Sequence, residues 1–307
     1  MLAQNWMLIA FVAPMSWALV VMIDRWLATD QFKEEDEVVA VIGFFGILPL
    51  MSMFVWGLPK VNILYGSLAV GSGILFMIYT FFYFRSLFKS DDTVLISILM
   101  NMPGLVVPLL AAWLVHERLS GVEYFGIVVV VTGSVIACFE GKVVHDKLKC
   151  IAWPMAIAII TFSLSMVVDE QVYNKISFYD GFMFFSVGIF LSGCFCYTKK
   201  SIREKRLFRV KTSSYLWLVV AECFNLIAIV FSHYAIKVSP AVSYVAVIET
   251  TVPAFVLIVC GLIYWFCRTF NISIDSKHAD VLQSQFVGLG NKSLAIAIMA
   301  FGIYLLG

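Results

Sequence analysis

Apolar blocks about 20 residues long recur from one end of this chain to the other, the length of helix needed to cross a bilayer's hydrocarbon core. Ten such segments are counted, at about 5–27, 37–57, 62–87, 93–115, 120–139, 151–172, 180–198, 213–236, 239–265 and 289–306. With 62% hydrophobic and 13% charged residues, the remaining charge is too sparse to solvate a soluble domain. A transmembrane barrel would show shorter segments with strict alternation. The pattern therefore predicts an all-α, multi-pass integral membrane protein of a bacterial inner membrane or plasma membrane. The first segment lacks a basic leader and runs past signal-peptide length, so it reads as a retained helix. A net charge of +1 gives no sign of a nucleic-acid partner.

Most connections are short, which makes neighbouring helices antiparallel. Two are longer: a basic stretch from Lys199 to Lys211 and a polar stretch over 267–288. With a cytoplasmic N-terminus, only Lys60, Arg118, Lys175 and Lys237 would fall on the cytoplasmic side. The positive-inside rule thus favours both termini outside and the Lys199–Lys211 loop in the cytoplasm.

An internal repeat is legible. Shifted by 150 residues, Pro103 meets Pro253, Tyr83 meets His233 and Asn101 meets Thr251. The first and sixth segments each carry a proline, Pro14 and Pro154, and each ends with an aspartate, Asp24 and Asp169. The expected division is 1–140 and 150–307, five helices in each half. An odd number of spans inserts the halves with opposite orientation. Inverted repeats characterise secondary transporters, whose substrate sites lie near the midplane where the halves meet.

The run LMNMPGLVVPLLAAWLVHERLSGVEYFGIVVVVTGSVIA, residues 99–137, resembles the EamA-type signature of the drug/metabolite transporter superfamily. Residues 111–120, AAWLVHERLS, carry the match, with His116 where glycine is usual; after Trp265 the second half departs from the pattern. The resemblance implies a ten-helix 5+5 bundle around a central cavity that transports small metabolites. It also implies both termini inside, opposite to the charge bias.

An ionisable group at bilayer depth costs about 2.5–3.5 kcal/mol by insertion scales, so such groups are functional candidates. Glu249 and Glu222 qualify by depth. Asn225 and His233 share a helix face with Glu222, a polar stripe that reads as a cavity wall. No lysine or arginine lies equally deep in the sequence. Two buried carboxylates without a basic partner are expected either to hold protons or to meet a cationic ligand. Pro103 and Pro253 each remove a helix hydrogen bond and free the carbonyl four residues back, that of Leu99 and that of Glu249. Asn101, Thr250 and Thr251 stand beside them and can re-satisfy that backbone or line a cavity. Trp17, Tyr79, Tyr83, Tyr234 and Tyr244 offer ring faces to an ammonium group. Trp6, Trp26, Trp56 and Trp265 read as interface anchors. Asp24-Arg25 and Asp169-Glu170 lie at helix ends; Arg25 could pair with an acid, but solvated ends are the expectation. The seven cysteines read as buried, inert thiols.

The expectation is a secondary transporter of small organic metabolites, an amino acid or amine above all, working by alternating access as a monomer or homodimer. Proton-coupled efflux of hydrophobic cations and uptake of a choline-like solute stay open. So does a membrane lipid-handling enzyme using His116-Glu117-Arg118. Absence of a phosphate loop, metal cluster or nucleophile–base pair predicts no cofactor, no metal and no enzymatic activity.

Overall fold

The computed structural model describes residues 6–30, 35–90, 93–138, 145–198, 212–269 and 289–306. Among these all regular structure is helical: α1 (Trp6–Asp30), α2 (Glu35–Phe45), α3 (Ile47–Met51), α4 (Met53–Trp56), α5 (Ile63–Lys89), α6 (Thr93–Met100), α7 (Pro103–Leu114), α8 (Gly121–Cys138), α9 (His145–Tyr173), α10 (Phe178–Thr198), α11 (Thr212–Val238), α12 (Val242–Glu249), α13 (Val252–Thr269) and α14 (Leu289–Tyr304). Among the described residues nine stretches are long and apolar enough to cross a membrane, taking α2–α4, α6–α7 and α12–α13 each as one interrupted span. α14, apolar and 16 residues long, occupies the tenth expected position. At 1.5 Å per residue it reaches about 24 Å, short of a full hydrocarbon core. The basic Lys199–Lys211 stretch and most of the 267–288 stretch lie outside the described residues.

The interruptions have local causes. In the second span, Pro49 contributes no N–H, and the Ser52 hydroxyl turns back to the Pro49 carbonyl at 2.6 Å. The breaks between α6 and α7 and between α12 and α13 fall beside the two matching prolines. Pro103 is the first residue of α7 and Pro253 the second of α13. At the first break Met102 N–H donates to the Leu99 carbonyl (3.1 Å), and Asn101 Nδ2 donates to Ser97 (3.0 Å). At the second, the Thr250 and Thr251 hydroxyls donate to Val247 and Ile248 (2.7 and 2.6 Å). These polar side chains therefore re-satisfy bent backbone, one of the two tasks the sequence left open for them.

The two breaks pack against each other. A Cβ on Gly104 would come within 2.6 Å of Thr250 Cγ2, so only glycine lets α7 cross α12 here. Ser134 of α8 ties the crossing down by donating to the Thr250 carbonyl at 2.5 Å. Elsewhere α1 packs on α11, α5 on α9 and α10, α2 on α10, and α8 on α14. Small residues permit these close approaches; a Cβ on Gly193 of α10 would meet Gly43 Cα of α2 at 2.7 Å.

Two residues past the end of α7 stands His116, whose φ of 58° is in the left-handed region. Glu117 N–H closes the end on the Ala111 carbonyl at 3.2 Å. Glycine is the residue this geometry favours, and histidine occupies it here. Of the expected anchors, Trp56 and Trp265 are exposed, whereas Trp6 is half-buried and stacks on Tyr244 with ring centroids 5.7 Å apart. The Trp26 side chain lies outside the described residues. The cysteine expectation is corrected in part: Cys138, Cys196 and Cys260 are buried, but Cys150 and Cys223 are exposed.

Candidate functional site

Four carboxylates lie between the helices, each 7% exposed or less: Asp24 on α1, Asp169 on α9, Glu222 on α11 and Glu249 on α12. Asp24 and Asp169 are a correction, since the sequence placed them at solvated helix ends. Hydropathy stops at the last apolar residue, but the helices do not: α1 continues to Asp30 and α9 to Tyr173. Each aspartate stands seven residues after an aromatic that faces its counterpart, Trp17 and Phe162, whose rings are 6.5 Å apart. That spacing of two helical turns was the available signal.

Glu222 belongs to a chain of side chains joining α1 and α11. Trp17 Nε1 donates to Asn225 Oδ1 at 3.1 Å, and Asn225 Nδ2 donates to Glu222 Oε2 at 3.2 Å. Asp24 lies within electrostatic range of Glu222, and its Oδ1 is buried without a hydrogen-bond partner. Glu249 accepts from the Ser232 hydroxyl at 2.5 Å through Oε1, while Oε2 is buried and unpartnered. Tyr79 sits within electrostatic range of both Asp24 and Glu249, with Tyr83 stacked on it at 6.1 Å. Asp169 and His233 approach at 3.7 Å, and Tyr173 hydroxyl lies 2.7 Å from the same imidazole nitrogen. Among the described residues neither a lysine nor an arginine forms an ion pair with any of the four acids.

Two narrow pockets open between these groups. Trp17, Asp169, Ser232 and His233 contribute to one, and Glu222 and Asn225 to the other. Phe76 and Ile229 line both and form the wall between them. Each has room for about one or two waters, so the helices are closed around the site.

Of the residues singled out from sequence, Glu222, Asn225 and Trp17 form one connected group. Glu249, Tyr79 and Tyr83 stand beside it, and His233 faces the neighbouring pocket. Asn101 and Thr251 serve the helix breaks. Tyr244 is held elsewhere, donating to Glu123 of α8. Tyr234 packs edge-on against Phe178 at 5.3 Å. Pairs such as Trp17–Asn225, 208 positions apart, carry no sequence signal.

Glu117, in the loop after α7, approaches the Val242 and Ser243 amides at the start of α12. Burial raises its carboxyl above the ordinary range, against the lowering effect of the Ser243 hydroxyl and those amides. His116 beside it is exposed.

No family model matches the chain, and no curated protein matches it. A solved structure described as "Crystal structure of protein" aligns over 98% of this chain and 98% of its own, with a TM-score of 0.69 at 17% identity. The chain therefore shares that fold over essentially its whole length.

Proposed function

We propose that this chain is a secondary transporter of small organic solutes carrying an amino or ammonium group. In this reading it belongs with the EamA-type drug/metabolite transporters and resides in a bacterial inner membrane or plasma membrane. The observation that carries it is that Asp24, Glu222 and Glu249 are buried and, among the described residues, have no lysine or arginine partner, gathered beside two broken helices that cross. An uncompensated acid at this depth is costly and persists where a ligand or proton completes it. A cation entering between Glu222, Asp24 and Glu249 supplies the missing charge. Trp17, Tyr79 and Tyr83 supply ring faces suited to it.

Alternating access is carried by two five-helix repeats of opposite orientation. Support comes from packing pairs that interchange when the halves are exchanged. α1 on α11 corresponds to α9 on α5, and α7 on α9 corresponds to the broken ninth span on α1. The α6–α7 and α12–α13 breaks correspond in the same way. The closed pockets suit an occluded intermediate of such a cycle.

The reading is tested by thermal unfolding of the purified protein against a panel of amines, amino acids, nucleosides and sugar phosphates. Stabilisation by cationic members is expected. Stabilisation by anions alone would refute the cation site.

A further inference from the structure

The pocket beside α9 holds chemistry of a different kind. His233 Nδ1 has two oxygen neighbours one helical turn apart on α9: Tyr173 hydroxyl at 2.7 Å and Asp169 Oδ2 at 3.7 Å. A hydroxyl can donate to an unprotonated nitrogen, whereas a carboxylate can only accept. The neighbour that Nδ1 engages therefore depends on whether Nδ1 carries a proton. The imidazole is otherwise enclosed by rings of α10, with Phe185 and Phe182 centroids at 4.2 and 5.5 Å. Other polar groups around it are accounted for. Lys237, one turn along α11, donates to the Tyr173 and Ile176 carbonyls. On α5, Ser72 bonds Ser165 of α9 at 2.8 Å and approaches Asp169. From α12, Glu249 is engaged by Ser232, the residue preceding His233. α1 contributes Trp17 to the pocket. Phe76 and Ile229 stand between this pocket and the one lined by Glu222.

We propose that Asp169, His233 and Tyr173 form a proton-carrying site, separate from the Glu222 pocket that takes the cargo. The proposal rests on the transporter reading. With Nδ1 unprotonated, Tyr173 donates to it and the Asp169–His233 pair carries one negative charge. A proton arriving from water forms the Nδ1–H bond. The Tyr173 hydroxyl turns away, the imidazolium donates to Asp169, and the pair becomes neutral as a unit. To make that bond, the oxygen and nitrogen close from 3.7 Å to roughly 2.8 Å, within the reach of side-chain rotation. Release breaks the same N–H bond and restores the tyrosine contact. Each cycle thus moves one proton and changes the charge on one wall of the cavity, which couples the proton to a cationic cargo.

The test uses the full chain in proteoliposomes with radiolabelled choline, putrescine and leucine as probes. Two measurements are made on each: accumulation driven by a pH gradient, and exchange of internal for external probe at equal pH. Asp169→Asn, which is isosteric, and His233→Gln are expected to lose gradient-driven accumulation while retaining exchange. Retained accumulation in both variants overturns the proposal. Loss of accumulation and exchange together also overturns it, since the residues would then belong to cargo binding or folding. Absence of both activities in the unmodified chain for every probe refutes the transporter reading instead.

Discussion

Replacing Glu249 with leucine should make the empty protein more stable while abolishing the proposed transport. The residue is 7% exposed; Oε1 accepts from Ser232 at 2.5 Å and Oε2 is buried with no partner. A buried polar group left unpaired costs about 1–3 kcal/mol, and leucine removes that cost. The loss on the other side is the Ser232 bond, about 1 kcal/mol. Ser232 can recover it by turning to the carbonyl four residues back on its own helix. Ser86, Ser186 and Ser192 do so in this protein at 2.8–2.9 Å. The net expectation is about 1–2 kcal/mol of stabilisation, a rise in Tm of roughly 2–4 °C for a chain of this size. Glu249→Gln keeps the Ser232 acceptor and leaves the second position unpaired, so its Tm should stay within about 2 °C of the parent. The assay is intrinsic tryptophan fluorescence during a temperature ramp at pH 7 in nanodiscs, without added solute. A Glu249→Leu variant that melts below the parent would refute the reasoning, because the acid would then be a structural partner rather than an uncompensated one.

Other consequences follow from the fold around the site. His116→Gly should stabilise the chain by about 0.5–1 kcal/mol in the same melt, since a side chain at positive φ costs about 1–2 kcal/mol and glycine's extra chain entropy returns part of it. Gly104→Val should destabilise by about 1–3 kcal/mol through overpacking against Thr250. Ser134→Ala should cost about 1–2 kcal/mol by leaving the Thr250 carbonyl unmet; an unchanged Tm in either variant would contradict the packed crossing. Glu117, whose carboxyl is raised in the fold, binds more protons folded than unfolded, so its contribution to stability falls as pH rises from its ordinary value near 4.5. Glu117→Gln should therefore melt higher than the parent at pH 7, with the gap closing toward pH 4.

Much of the frame was legible because it is written locally. Proline lacks a donor wherever it stands, so the breaks at Pro103 and Pro253 and the polar residues that repair them could be placed before any geometry was known. The resemblance around 111–120 marked position 116 as a glycine site, and the positive φ there is one that glycine favours. Depth in an apolar run located Glu222 and Glu249. The same criterion misplaced Asp24 and Asp169, because a run of hydropathy ends where polarity begins, while the helix and its burial continue. The partners were beyond reach altogether. Which hydroxyl meets Glu249, or which amide links Trp17 to Glu222, depends on how α1, α11 and α12 pack, and no periodicity in one helix encodes its neighbour's register.

The central claim is that carboxylates buried between the helices hold a cationic solute during transport. Its most direct test is equal-pH exchange of radiolabelled amines in proteoliposomes, comparing the parent with Glu222→Gln and Glu249→Gln. Losing one charge-assisted contact to the cargo removes about 1.5–3 kcal/mol, which predicts at least a tenfold fall in exchange for each variant. Exchange at the parent rate in both variants, or exchange by the parent of anionic solutes alone, would contradict the account.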